Sequence, residues 1–141
     1  MKTTLLTALL LATLALPTAH AADDSLYRAW GGKAGIRAVM DDFVPRLKAD
    51  PRIGEFFKDT NGQHLASQLT EQLCQVAGGP CAYDGPDMKT AHAEMGVNRA
   101  HFNALVEQLQ VSMAAKGIAF ADQNRMLALL APMHRDIVTP R

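Results

Sequence analysis

A histidine stands between two methionines at a spacing that suits a metal or cofactor contact. Met88, His92 and Met95 lie at offsets 0, 4 and 7, so a helix would place the imidazole on an apolar face. A ring nitrogen buried on such a face needs a partner, which is either a hydrogen-bonding group or a metal. The alternative is a structural or merely exposed histidine. The same choice applies to the other histidines of the expected mature chain, which are His64, His101 and His134.

Patterns for other chemistries are weak. A serine, histidine and acid triad has no GxSxG motif to mark it, and no glycine-rich loop is of a phosphate-binding type. The acidic pairs Asp23–Asp24 and Asp41–Asp42 are adjacent in sequence, which is typical of solvated or capping carboxylates. The sequence therefore assigns no catalytic residue and favours neither hydrolysis nor nucleotide chemistry.

Two cysteines flank a reversal of the chain. Cys74 and Cys81 occur in CQVAGGPC, where the glycines and the proline can bring the two Cα atoms within about 7 Å. A disulfide is the favoured interpretation in an oxidising compartment, and two free thiols are the alternative. The CxxCH motif of covalent c-type haem is absent, and a zinc site would need more ligands.

The N-terminal segment is typical of a secretory signal peptide. One lysine precedes the apolar run Leu5–Leu16, and small residues precede an expected cleavage after Ala21. We therefore expect a signal peptide over 1–21 and a single domain over 22–141, secreted in the simplest case to a bacterial periplasm. No other segment approaches the roughly 18 apolar residues of a membrane helix, so no span is expected after cleavage.

The charge of the chain argues against polyanionic partners. Cleavage would remove Lys2 and no acidic residue, leaving 13 of the 14 basic residues beside 14 acidic ones. These charges are scattered and form no basic run. We therefore expect no nucleic acid and no anionic membrane surface among the partners.

Apolar residues recur with a helical period throughout the chain, which predicts an all-α fold. The second stripe follows a candidate cap at Asn98 and ends before Gly117, and the third follows Asp122. Pro45 and Pro132 fall inside the first and third stripes, so each helix should kink there or be shorter than its stripe. The stripes are Ile36, Val39, Met40, Phe43 and Leu47; Phe102, Leu105, Val106, Leu109 and Met113; and Met126, Leu129, Leu130, Met133 and Ile137.

A weaker helix is expected over about 62–77, before a long loop over about 78–87. Its apolar face carries Leu65, Leu69, Leu73 and Val76, and its polar side is rich in glutamine. These glutamines are at positions 63, 68, 72 and 75. An ordinary helical bundle has no need of so long a loop.

Three segments together resemble the group I truncated haemoglobins, over residues 25 to 138. They are LYRAWGGKAGIRAVMDDFVPRLKADPRIGEFF at 26–57, AGGPCAYDGPDMKTAHAEMGV at 77–97 and HFNALVEQL at 101–109. The resemblance implies a two-over-two α-helical sandwich around haem b, iron protoporphyrin IX, with the loop leading to a short proximal helix. It also implies that His92 is the proximal iron ligand, with its other ring nitrogen donating to a backbone carbonyl near Met88.

The resemblance further implies which side chains form the haem pocket. Without it, the same residues would fit the core of a bundle equally well. The expected cofactor-binding residues are Phe57, Leu65, Leu69, Leu73, Tyr83, Met88, His92, Met95, Val97, Phe102 and Leu130.

Departures from the family pattern lie mainly on the distal side. Val44 stands where many members carry a tyrosine that donates to bound oxygen, and Leu65 and Leu69 stand where polar residues are common. We therefore expect an apolar distal pocket, with Gln68 or His64 as a substitute donor.

The expected function is reversible binding of a diatomic gas, namely oxygen, nitric oxide or carbon monoxide, at a histidine-ligated iron. Dioxygenase turnover of nitric oxide or a peroxidase-like activity could accompany it. The alternative is a cytochrome-like electron carrier with six-coordinate haem and an unknown redox partner, in which His64 would be a second ligand. A third interpretation is a haem-free helical adaptor.

Overall fold

The computed structural model describes residues 23–139, and no strand occurs within them. The helices α2 and α3 pack on each other and against α5 and α6, which gives the two-over-two sandwich. The expected signal peptide lies outside the described residues. Of the helices that the structure describes, none is both long enough and apolar enough to cross a bilayer. The helices are α1 (Ser25–Ala29), α2 (Gly32–Ala49), α3 (Gly62–Val76), α4 (Met88–Ala91), α5 (Arg99–Ala115), α6 (Phe120–Leu130) and α7 (His134–Ile137), with 3₁₀ turns at Gly54–Phe57 and Ala131–Met133.

The first apolar stripe forms the centre of the core. All five of its residues are buried on α2, as predicted, and Trp30 and Met113 are buried with them. Full burial of a side chain of this size contributes about 1.5–3 kcal/mol. The contacts of α2 with both α3 and α5 are therefore the main support of the fold.

The two prolines behave differently. Helix α2 continues through Pro45 to Ala49, so the expectation of a shortened helix is wrong there. Asp41, whose carbonyl loses its helical donor, is exposed, and water can take the place of the missing amide. Helix α6 ends at Leu130, two residues before Pro132, as the sequence predicts.

The third stripe is not one helix with one buried face. Its helix begins at Phe120 rather than after Asp122, and Leu129 is 48% exposed. After Leu130 the chain continues through a 3₁₀ segment into α7. A 3₁₀ segment has fewer residues per turn than an α-helix, so the positions that follow no longer keep the α-helical period of the stripe. The last two residues of the stripe, Met133 and Ile137, therefore belong to separate elements, namely the 3₁₀ segment and α7.

Side-chain caps fix where two of the long helices begin. The Asn98 side chain accepts a hydrogen bond from the His101 amide, and the His101 ring accepts one from the Asn98 amide, which confirms the predicted cap of α5. The Asn61 side chain accepts from the His64 amide at the start of α3. His101 is thus a capping residue.

The turn after α3 depends on two glycines. Gly78 has φ +83°, and a Cβ there would lie 2.2 Å from the carbonyl oxygen of Asp23. Gly79 follows it and packs as closely, since a Cβ there would lie 2.7 Å from Cys74 Sγ. The turn brings the Cα atoms of Cys74 and Cys81 to 5.8 Å, within the range of a disulfide. The structure has them in disulfide geometry, which permits the predicted bond; its formation in the cell stays a prediction.

Candidate functional site

A cavity of about 560 Å³ lies between the helices. This volume is within the roughly 300–1,000 Å³ of small-molecule and cofactor pockets, and most of the lining is apolar. All but one of the predicted pocket residues line it. They are Phe57, Leu65, Leu69, Leu73, Tyr83, Met88, His92, Met95, Phe102 and Leu130.

Val97 is the predicted pocket residue that does not line the cavity. It is nevertheless buried. Its carbonyl accepts a hydrogen bond from the Thr139 amide at 2.9 Å. The backbone of Val97 thus holds the C-terminal segment, and a contact of its side chain with bound cofactor stays a prediction.

Val44 also lies away from the cavity, although the family pattern places this position beside the gas ligand. Its side chain is buried next to Gly62 and lines a separate groove between α2 and α3. The neighbouring residue, Phe43, lines the cavity instead. Adjacent residues of a helix differ by about 100° in direction, so Val44 is turned away when Phe43 faces inward.

The stripe of α3 that faces the cavity includes two of its glutamines. Leu65, Gln68, Leu69, Gln72 and Leu73 all line the cavity, at offsets 0, 3, 4, 7 and 8. The expectation that Gln72 belongs to an outward polar side is therefore wrong, whereas Gln68 turns inward, as its expected role of substitute donor requires. The buried Oε1 atom of Gln68 has no hydrogen-bond partner within the described residues. An unpaired buried amide on a cavity wall favours a ligand at this place.

His92 lies directly after α4, whose single turn begins at Met88. Its Nδ1 atom is 2.8 Å from the Met88 carbonyl oxygen. Because a carbonyl can only accept, the proton of this hydrogen bond belongs to Nδ1, and in the neutral imidazole Nε2 then keeps a free lone pair. The predicted hydrogen bond one turn earlier is thus present. The sequence predicts His92 within a helix, whereas the structure places it at the C-cap.

The start of α4 is fixed by a charged cap. The Asp87 carboxylate accepts from the Thr90 amide at 2.8 Å and from the Thr90 hydroxyl at 3.0 Å. These hydrogen bonds hold the pKa of Asp87 below its usual value. Glu94, beyond His92, has φ +62°, in the left-handed region that favours glycine.

Tyr83 holds the loop that leads to α4. Its amide donates to the Gln75 side chain at 2.6 Å, and its hydroxyl donates to the Pro86 carbonyl at 2.8 Å. Burial, followed by the nearby Asp84 and Asp87 carboxylates, raises the pKa of Tyr83, so the hydroxyl stays a neutral donor. The loop therefore approaches the cavity in a defined conformation.

The other histidines contribute in different ways. His64 is exposed, and neither it nor His101 lines the cavity. His134 packs edge-on against Phe102, with ring centroids 4.9 Å apart. Within residues 23–139 no group of three or more His, Cys, Asp or Glu side chains could hold a metal ion. A single imidazole such as that of His92 suits a metal whose other ligands belong to the ring of a cofactor.

Sequence reasoning missed much of the cavity lining. Most of the missed residues belong to the periodic stripes, which mark an apolar face without saying whether it meets protein or a cavity; Phe56 and Leu127 lie outside the stripes. The missed residues include Met40, Phe43, Leu47, Phe56, Leu105, Val106, Leu109, Leu127, Met133 and Ile137.

A family model described as bacterial-like globin matches residues 25–139. The chain belongs to the bacterial-like globin family. The cavity fits the haem of this family, since it is apolar, of suitable volume and has one imidazole with a free lone pair on its wall. The chain is therefore a haem-binding globin.

Curated relatives and solved structures agree with this assignment. The chain is 30% identical over 114 residues to Group 1 truncated hemoglobin of Tetrahymena pyriformis, covering 81% of this chain and 94% of that one. It is 30% identical over 115 residues to Group 1 truncated hemoglobin GlbN of Mycolicibacterium paratuberculosis, covering 82% and 85%. The crystal structure of the Tetrahymena pyriformis truncated hemoglobin in its Fe(III) form superposes with a TM-score of 0.78, covering 82% of this chain and 98% of that one at 30% identity. The resemblance to group I truncated haemoglobins is thus confirmed.

Proposed function

We propose that this globin binds haem b through Nε2 of His92 and reversibly binds a diatomic gas. The observation that carries the proposal is the 2.8 Å contact between His92 Nδ1 and the Met88 carbonyl, which leaves Nε2 with its lone pair free at the cavity. Haem iron, when bound at His92, would supply the position at which the gas binds. Globins bind diatomic gases such as oxygen, which supports a ligand of this class.

The chain contributes orientation, exclusion of water and one polar contact. The hydrogen bond to Met88 fixes the tautomer of His92 and raises its basicity as a ligand. Leucines of α3 line the cavity beside Gln68, so this part of the wall offers water no hydrogen-bonding partner and would favour its exclusion once haem covers the wall. The amide of Gln68 is unpaired at its oxygen, and a half-turn of this amide would aim its NH₂ donor at the same place. This supports Gln68 as the donor to a polar gas ligand.

The test is an optical spectrum of the ferric, ferrous and carbonyl forms, for the parent and for His92→Gly. We expect an imidazole-ligated parent and a variant that retains haem poorly until imidazole is added. Haem at 100 to 1,000 times its Kd stabilises the fold by about 2.7–4.1 kcal/mol, and the variant should lose most of this.

The control is His64→Ala, which changes an exposed histidine. Normal haem content and an unchanged spectrum in His92→Gly would contradict the proposal. A six-coordinate ferrous parent that becomes five-coordinate in His64→Ala would instead favour the electron carrier with His64 as the second ligand.

We also propose that the globin is exported and cleaved after Ala21. The residue pattern of 1–21 supports this, and so does the disulfide geometry of Cys74 and Cys81, since such bonds form in oxidising compartments. The intact mass of the protein in a periplasmic fraction tests it. A cytoplasmic protein of full length would contradict it.

A further inference from the structure

Gln72 is a buried amide with poor partners. Its side chain lies on the cavity-facing stripe of α3, and the residue is only 8% exposed. Its Nε2 atom is 3.3 Å from Met88 Sδ and 3.9 Å from Met133 Sδ. A thioether is a weak acceptor, and burial of an amide costs free energy that such contacts offset only in part. Stability alone would favour leucine at this position.

Met88 receives contacts from two sides. Its sulfur accepts from Gln72 on α3, and its carbonyl accepts from His92 at 2.8 Å. Gln72 thus reaches, through one residue, the group that fixes the tautomer of His92. The second sulfur contact, to Met133, ties the same amide to the turn before α7.

Helix α4 needs such support because it has only four residues, Met88–Ala91. An isolated turn of helix is unstable in water, since it fixes several residues for one hydrogen bond. His92 lies beyond its last residue. The direction of the imidazole therefore depends on the contacts that hold this short helix, which are the cap at Asp87 and the contacts of Met88.

We propose that Gln72 is a positioning residue for His92. By holding the Met88 side chain, it keeps the Met88 carbonyl in place to accept from Nδ1, so that Nε2 presents its lone pair to the cavity. The inference rests on the proposed role of His92 as iron ligand. Loss of an outer partner of a metal ligand typically costs 10- to 100-fold in affinity, and we expect about tenfold faster haem release because Gln72 acts through Met88.

The first measurement uses the protein before haem is added. Nitrogen NMR of the His92 ring should show the Nδ1-protonated tautomer in the parent and a mixture of tautomers in Gln72→Leu. The matched control is Gln63→Leu, because Gln63 lies on the same helix but is exposed and bound to Arg37. The control should retain the parent tautomer.

The second measurement uses the haem-loaded ferrous protein. Gln72→Leu should lower the iron–histidine stretching frequency in resonance Raman spectra, since a weaker Nδ1 hydrogen bond makes the imidazole a weaker donor. Met88→Leu removes the sulfur and keeps the backbone carbonyl, so it should give the same shift. The double variant should add nothing further.

Unchanged tautomer and stretching frequency in Gln72→Leu would overturn the inference, as would fully additive effects of Gln72→Leu and Met88→Leu. If Gln72→Leu does not fold, Met88→Leu alone decides, by the same two readouts. Failure of haem to bind His92 would defeat the proposed function, whereas the tautomer result of the haem-free protein would still stand.

Discussion

Two apolar regions of this globin are built from the same residue types and differ in how completely they are buried. In the core around α2, Ile36, Val39 and Met113 are fully enclosed by protein. On the cavity wall of α3, Leu65 and Leu69 remain partly exposed although they occupy equally regular helical positions. The core closes on itself, whereas the wall has apolar surface that the described residues leave uncovered.

This difference indicates where the cofactor contributes stability. Apolar surface left facing a water-accessible cavity is unfavourable, and haem would cover it. The core should therefore be stable with or without haem, while the cavity side gains most from binding. Local opening in the haem-free protein should begin on the cavity side.

The largest expected effect separates the two regions directly. Met113→Ala should cost about 2–5 kcal/mol of unfolding free energy in both haem-free and haem-loaded protein, because a fully buried side chain leaves a void. Leu69→Ala should cost less unfolding free energy than Met113→Ala in the haem-free protein. Its cost should be larger in the haem-loaded protein than in the haem-free protein. Chemical denaturation of both forms measures this. If Leu69→Ala lowers the unfolding free energy equally in the two forms, the distinction between the core and the cavity wall is contradicted.

The next effect concerns the link between the regions. A bond from Cys74, on α3, to Cys81, in the loop before α4, restrains that loop and should add about 2 kcal/mol by loop-closure entropy. Cys81→Ala should lose this amount of unfolding free energy. Any further loss in the Cys74→Ala, Cys81→Ala double variant should come only from shortening the buried Cys74 side chain. Non-reducing mass spectrometry checks the bond itself, and two free thiols in exported protein would remove the premise.

The sequence predicted the core better than the cavity. The stripe of α2 and the cap at Asn98 follow from local periodicity and side-chain chemistry, and both are confirmed. Gln72 shows what local rules miss, because its polarity suggested solvent while its position on the stripe made it face the cavity. Whether a stripe meets protein or a void depends on the path of distant segments, and Leu129, which is 48% exposed on the third stripe, shows that periodicity alone does not decide burial.

A smaller effect tests the polar contact on the cavity wall. Gln68→Leu should remove a donor worth about 0.5–1.5 kcal/mol, so oxygen should leave the ferrous protein up to about tenfold faster. Carbon monoxide is less polar, and its release should change less. Stopped-flow dissociation of both gases measures this, with Gln63→Leu as the control on the outer face of α3. Equal acceleration for the two gases would point to a steric effect.

The smallest effect at neutral pH concerns the cap of α4. Hydrogen bonds from Thr90 lower the pKa of Asp87, so the charged cap contributes stability that is fully present above the unfolded pKa of about 3.9 and is lost as the pH falls below it. Asparagine caps about as well and does not titrate, so Asp87→Asn should match the parent at pH 7 and release haem less steeply on acidification.

In the core region, the pKa of Asp50 is also lowered, chiefly by Arg52, so its loss of charge should destabilise haem-free and haem-loaded protein alike. Acid titrations of the haem absorbance and of the helical circular dichroism distinguish the two sites. Because α4 directly precedes His92, the Asp87 effect should appear in the haem signal before the helices unfold; coincident transitions would show instead that the cap of α4 has no separate influence on the cavity side.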